Sequence, residues 1–438
     1  MHESNGYQNS SFTSPPAKPT PEKLFFSYFS RNKKKKKKKK GSPSRNRLVS
    51  FFHSFSGPPS LFCSLIAFKR NRTPFLFLFW EGGFEMGENG VCSVVVNGGR
   101  DVWSSSNPSS SPADHLVVMV NGIMGSATDW KFAADQFINT LSDKVIVQCS
   151  ERNVSKLTLD GVDVMGQRLA EEVMEVINRR PELRKISFIS HSVGGLVARY
   201  TIGRLYRPPK RKLTDEASET ICDEDTRGTI YGLEAMNFIT VATPHLGSRG
   251  NKQVPFLFGV PALEKAACLV IHWIFRRTGK HLFLTDNDDG KSPLLQRMIK
   301  DCGDLYFMSA LGAFRRRVAY ANAEYDHIVG WRTASIRRHC ELPKWEDSLC
   351  EKYPHIVHEE QSKGEDNTQM SSHGDNGSDS LEEELVSGLT RLSWERVDVS
   401  FQKCRQRFAA HSVIQVKDAS MHSEGADVIQ HMIDHFLI

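Results

Sequence analysis

From Asp114 onward the chain alternates short, continuous apolar runs with segments whose apolar residues recur every three or four positions. Leu116–Val120 is apolar at every position, the pattern of a strand buried on both faces. Thr128–Leu141 places Trp130, Phe132, Ala133, Phe137 and Leu141 at helical spacing. Val145–Val147 predicts a second strand, and Ile186–Ile189 a third. Between them, Val162–Asn178 carries Leu169, Val173, Val176 and Ile177 on one helical face. Gly194–Tyr206 reads as a helix, Met236–Thr243 and Arg317–Asn322 as strands, His411–Val416 as the last strand and Glu424–Ile438 as a terminal helix. Strands alternating with helices predict an α/β fold, a mostly parallel central sheet covered by helices on both faces.

Three stretches break the alternation. Arg207–Arg227 holds Pro208, Pro209 and the basic Lys210–Lys212, and reads as an exposed excursion. Residues 251–301 form an insertion containing the apolar Pro255–Phe275, expected as a cap or lid over a site at the strand ends. Pro261 and Glu264–Lys265 interrupt that run, so it does not suit a membrane span. Residues 341–384 carry 13 acids against 3 lysines and are expected to be a solvated, disordered insertion.

Charge divides the chain of 438 residues. Its net +6 hides a difference between Met1–Glu85, with 16 Lys/Arg and 4 Asp/Glu, and the remainder, which carries a net −6. Lys33–Lys40 is an uninterrupted lysine run, and residues 1–113 are expected to be a disordered or non-native leader. The basic character therefore belongs to the leader, and nucleic acid is not an expected partner of the body. Nine scattered cysteines without a C-x-x-C pair suit reduced thiols better than a disulfide framework or zinc ribbon. Neither H-E-x-x-H nor a phosphate-binding glycine loop is present, so no metal and no cofactor is expected.

The candidate chemistry begins where Ile186–Ile189 runs into Ser190-His191-Ser192-Val193-Gly194-Gly195. A strand turning sharply into a helix through S-x-S-x-G has the layout of a nucleophile elbow, with small residues at the crowded flanking positions. Ser192 is then the candidate nucleophile, and the helix start at Val193 supplies N–H groups that favour negative charge. Acyl transfer needs a second backbone donor. Leu116–Val120 leads into Asn121-Gly122-Ile123-Met124-Gly125, so Ile123 is expected to pair with Val193 as oxyanion donor. Gly122, Gly125 and Gly194 allow the close backbone approach. A serine needs a base and the base an acid, here in the order Ser, acid, His, each after a strand. Asp326 follows Arg317–Asn322 and is the preferred acid, with Glu324 second. His422 follows the expected last strand and is the preferred base. His411 at that strand's start, and His431 and His435 in the terminal helix, fit less well.

In these motifs the chain resembles the plant and fungal serine esterases of the Rog-type lipase group, within the α/β-hydrolase superfamily. The resemblance rests on Val117–Gly125 with Asp129-Trp130, Phe188–Arg199, Val241–Gly247, Gly279–Asp286, Tyr320–Val329 and His411–His422, and so spans residues 114–438. It departs at Asn121, where the family usually has histidine, and in the acidic insertion. It implies an α/β-hydrolase fold, Ser192, Asp326 and His422 as a triad, and hydrolysis of lipid acyl esters. The same triad also suits an acyltransferase or thioesterase, and a catalytically silent lipid- or protein-binding module is the non-enzymatic alternative. The expected location is the cytoplasm, with peripheral membrane contact through Arg207–Lys212, Arg276 and Arg277; a plastid is the alternative. Oligomeric state stays open.

Overall fold

The computed structural model describes residues 113–209, 227–248, 275–287, 290–344, 351–362, 364 and 379–438, and the backbone of two strands nearer the N-terminus. Those two, β1 (Leu65–Phe68) and β2 (Phe75–Leu78), pair antiparallel within a unit of their own, residues 1–90. The rest of the expected leader, Pro255–Ile274 of the expected lid and Lys210–Lys212 lie outside the described residues.

The second unit is built on β3 (His115–Val120), β4 (Val145–Cys149), β5 (Lys185–His191), β6 (Tyr206–Arg207), β7 (Thr229–Ile230), β8 (Glu234–Val241), β9 (Arg316–Asn322), β10 (Ile356–Ser362) and β11 (Trp394–Val399). Seven of these form one sheet in the order β10-β11-β9-β8-β5-β3-β4. Every pairing in it is parallel except β10 with β11. The ladder of β6 with β7 closes the base of the Arg207–Arg227 excursion.

The helices are α1 (Lys131–Leu141), α2 (Val162–Arg179), α3 (Val193–Leu205), α4 (Leu294–Arg297), α5 (Phe307–Ala313), α6 (Trp331–Ser335), α7 (Asp379–Leu389), α8 (Ala410–Val413) and α9 (Ala426–Asp434). Two hydrophobic layers sandwich the sheet. Leu116, Val118 and Val120 of β3 pack with α2, α3, α5 and α7, while Val117 and Met119 pack with α1 and α9 on the opposite face. The period-two alternation of strand side chains thus feeds both layers, which is why β3 is apolar throughout. Among the described residues no helix is long and apolar enough to cross a membrane.

Two expectations are corrected here. His411–Val416 is not a strand: Ala410–Val413 is helical, and the last strand is β11. Nor is 341–384 unstructured throughout, because β10 lies inside it and pairs with β11 from Ile356 opposite Val399 to Ser362 opposite Trp394. Helix α7 starts at its end and buries Leu385, Val386 and Leu389. The expected cap enters the described residues only at its C-terminal part. There residues 275–282 are helical, and Thr278 and His281 accept the N–H groups of Gly161 and Val162, each at 3.0 Å, capping α2.

Candidate active site

Ser192 stands alone between the last residue of β5 and the first of α3. Its backbone is at φ 54°, ψ −131°, a region that non-glycine residues occupy only under constraint. The constraint comes from the Ser192 N–H, which donates to Val241 O at 2.9 Å, and from Gly195 N–H, which donates to Ser192 O at 3.1 Å. Small neighbours are required. A Cβ on Gly194 would lie 2.6 Å from Asn121 O, and one on Gly122 would lie 2.9 Å from Ser192 Cβ. The end of β3 and the elbow therefore touch through glycine.

The side chain facing Ser192 is His411. Its Nε2 is 3.0 Å from Ser192 Oγ, and its Nδ1 is 2.9 Å from Asp326 Oδ2. A carboxylate at Nδ1 fixes the proton there and leaves the Nε2 lone pair to accept from the serine hydroxyl. Asp326 is saturated: Asn322 Nδ2 donates to Oδ2 at 2.9 Å, and Ile328 and Val329 N–H groups donate to Oδ1 at 3.0 and 2.8 Å. Burial alone would raise this carboxyl. The charge of His411 and its hydrogen bond outweigh burial, with help from Val329 N–H and the Asn322 amide, and hold it below its usual value.

His422 does not join this line. Its Nδ1 accepts Asp418 N–H at 3.1 Å and its own N–H donates to Asp418 O at 2.7 Å, so it closes a turn within its own loop. Burial and then Lys417 lower its pKa, against Asp418. The expectation failed because β11 was missed: the loop after the true last strand carries His411. Glu324 is likewise displaced by Asp326 at the histidine. His431 instead meets Tyr320 Oη through Nδ1 at 2.8 Å, and His435 Nδ1 donates to His431 O at 2.9 Å.

The two expected oxyanion donors share one device. A trans peptide points its N–H away from its own C=O. Gly122 O accepts from Asn121 Nδ2 and Gly125 N–H, each at 3.1 Å, which sets the direction of the Ile123 N–H. Ser192 O, held by Gly195 N–H, does the same for the Val193 N–H. Asn121 Nδ2 also donates to Asn153 O at 3.0 Å, tying the loop to the connection after β4. Asp129 and Lys417 form an ion pair at 3.1 Å, and Gln415 Nε2 donates to Asp129 O at 3.2 Å, so this loop is joined to the segment beyond His411. Gly125 lies over Asp129, where a Cβ would sit 2.5 Å from Oδ2.

His191, next to the serine, had no assigned role in the sequence. Its ring lies 4.6 Å from that of His411, and its Nε2–H donates to His411 O at 2.7 Å. Burial, then the neighbouring His411, keeps its pKa well below the usual value, so it stays a neutral donor. A second line of similar form, Cys404–His355–Asp427, has Sγ 3.0 Å from Nε2 and Nδ1 2.8 Å from Oδ1. Burial followed by the carboxylates of Glu424 and Asp427 pushes that thiol up to about 11, so it is not an activated nucleophile.

Residues 110–341 match the family described as Putative serine esterase (DUF676). The chain belongs to this family. The match includes Ser192 and Asp326 and ends before His411. Among known proteins the chain is 29% identical over 243 residues to "Putative lipase ROG1" of Saccharomyces cerevisiae, covering 54% of this chain and 31% of that protein. It is 26% identical over 236 residues to "Putative lipase C4A8.10" of Schizosaccharomyces pombe, covering 52% and 26%. The chain thus spans about a third or less of the length of these relatives. Similar solved structures include Bacillus licheniformis lipase BlEst2 in its propeptide form, with TM-score 0.30, 15% identity and coverage of 51% of this chain and 38% of that one. Phospholipase PlaB from Legionella pneumophila aligns with TM-score 0.27, 13% identity and coverage of 48% and 38%. The fold of this serine esterase family member is a mostly parallel seven-stranded sheet covered by helices on both faces.

Proposed function

We propose that the chain hydrolyses carboxylic esters of hydrophobic acyl chains, lipid esters among them, through an acyl-enzyme on Ser192. The observation that carries this is the unbroken line Ser192 Oγ–His411–Asp326, with contacts of 3.0 and 2.9 Å. His411 Nε2 takes the hydroxyl proton as Oγ attacks the carbonyl carbon. The oxyanion lies between the Ile123 and Val193 N–H groups, whose orientation is preset and costs no reorganisation. The His411 proton passes to the leaving alkoxide, and the alcohol departs. Water then gives its proton to Nε2, attacks the acyl carbon, and the acid leaves as Oγ regains the proton. Asp326 holds the Nδ1–H tautomer and stabilises the imidazolium. No step calls for a cofactor.

Labelling by a fluorophosphonate probe, with release of fatty acid from a panel of glycerolipids, tests this reading. Ser192→Ala is expected to abolish labelling and lower turnover on the order of a millionfold. His411→Ala should fall to a similar depth, whereas His422→Gln should keep activity within severalfold. Equal loss in the two histidine variants, or labelling of Ser192→Ala, would remove the proposed base or nucleophile. Formation of a new ester with added alcohol in place of free acid would make the chain a transferase.

A further inference from the structure

Exposed large apolar side chains are unevenly spread over the described residues. Of seven, five (Met124, Leu157, Ile328, Phe408 and Met421) lie in connections leaving the C-terminal ends of β3, β4, β9 and β11. Ser192, Asp326 and His411 occupy the same edge of the sheet. The other two, Leu437 and Ile438, are the last residues of the chain. Single exposed apolar residues are ordinary, but their collection at one edge is a signature of contact.

Phe408 is the most exposed of them, at 67%. It is also held in place. Its ring meets Tyr325 edge-on at 5.5 Å and stacks on His327 at 6.4 Å, the two residues flanking Asp326. The Arg407 guanidinium lies 5.1 Å from the Phe408 ring centre and 5.5 Å from that of Tyr325. An apolar ring kept rigid in water beside the catalytic histidine loses solvent exposure only when something covers it.

Charge identifies what covers it. Residues 401–411 carry Lys403, Arg405 and Arg407 and no carboxylate of their own, although the chain beyond Glu85 is net −6. Glu424, which accepts the Arg405 and Gln406 N–H groups at 3.3 and 3.4 Å, offsets one of these three charges. Lys403 and Arg405 are exposed. Aromatic rings settle at the headgroup level of bilayers, and cations beside them attract anionic lipid. Of the cations expected for this task from sequence, Arg277 pairs with Asp163 and Arg207 lies over the Tyr231 ring.

We propose that the loop 401–411, braced by Tyr325 and His327, docks the mouth of the candidate site onto an anionic lipid bilayer. Phe408 enters the headgroup layer, and Lys403, Arg405 and Arg407 meet the phosphates. This deepens the lipid-ester reading and rests on it for its purpose, though binding is measurable without turnover.

The test is co-sedimentation of the full chain, as Ser192→Ala to spare the lipid, with vesicles of phosphatidylcholine alone or mixed with phosphatidylserine. Lys33–Lys40 would bind anionic vesicles unaided, so every variant is also compared in a chain with those lysines replaced by glutamine. In both backgrounds the phosphatidylserine vesicles should be preferred. Replacing Lys403, Arg405 and Arg407 together by glutamine should weaken binding on the order of a hundredfold at low salt. Phe408→Ser should weaken it severalfold, and Phe408→Trp should retain it. Equal binding to the two vesicle types, or binding unchanged by the triple and Phe408→Ser variants in the lysine-free background, overturns the proposal. A soluble short-chain ester, assayed with Ser192 intact, separates the two readings. If the unaltered chain does not hydrolyse it, the esterase reading fails while the vesicle result stands.

Discussion

Two peptide groups carry the candidate oxyanion site, and each is aimed by what grips its carbonyl. At Val193 the grip belongs to the helix itself, through Gly195 N–H on Ser192 O. At Ile123 it depends in part on a side chain, Asn121, whose Nδ2 bridges Gly122 O and Asn153 O. Asn121→Ala should leave the Ile123 peptide free to rotate. The expected loss is about ten- to a hundredfold in kcat on a soluble ester with little change in KM, because a misdirected donor weakens transition-state more than ground-state contacts. Unchanged kcat would mean that Gly125 N–H holds the peptide alone. The glycine-rich loop after a strand was legible in the sequence, as was the small-residue turn from strand to helix at Ser192. Asp326 was legible too, since it follows the apolar end of β9. His411 was not. Its neighbours Val413, Ile414 and Val416 are all buried around a short helix, and the same residues read as a strand when only their hydrophobicity is seen.

The error at His411 originates one element earlier. Trp394-Glu395-Arg396-Val397-Asp398-Val399 holds three charged residues, and a strand deep in a mostly parallel sheet is expected to be apolar. The charges are tolerated because each has a partner. Arg316 forks onto Glu395, Arg396 Nη2 donates to Ile336 O at 3.0 Å, and Asp398 accepts Arg337 Nη1 at 2.8 Å and Trp331 Nε1 at 2.6 Å. Such partners arrive from residues far away in sequence, so no local pattern reveals them. The same network admits β10, whose Glu360 pairs with Arg337 at 2.9 Å and Arg396 at 3.2 Å. Arg337 and Asp398 are both fully buried. Arg337→Met should therefore leave the buried Asp398 carboxylate without its guanidinium, held only by Trp331 Nε1 and His358 Nδ1, and cost about 3 kcal/mol in denaturant-induced unfolding. The double variant with Asp398→Leu should recover much of that loss, since removing both charges also removes their desolvation penalty. A double variant as unstable as the sum of the singles would show that the two do not act as a pair.

Over the whole molecule, alternating strands and helices sufficed to foresee a two-layered cover on a parallel sheet, because burial on both faces is written into the strands themselves. What alternation does not carry is the polar content of that interior, and histidines are its most consequential part. Burial leads the causes that lower His115, His191, His245, His281 and His422 beneath the ordinary 6.5, with Lys185 adding to it at His115, which falls to about 3. In the unfolded chain these rings take up protons near 6.5, and in the folded chain they do not. Between the two values the unfolded state binds more protons, so stability rises with pH there and is lost as pH falls. Above about 6.5 the contribution is level, since both states are neutral. Asp326, held below 3.8 in the fold, adds a loss of the same sign only once pH drops beneath that value. The histidines should therefore lower the melting temperature from about pH 6.5 downward, against an opposite contribution from Asp129 and Glu172, whose carboxyls burial raises. His115→Gln, which removes one such ring, should flatten the fall by about one proton's worth between 6.5 and about 3. A His115→Gln profile parallel to that of the unaltered chain would mean that His115 does not resist protonation as its surroundings require.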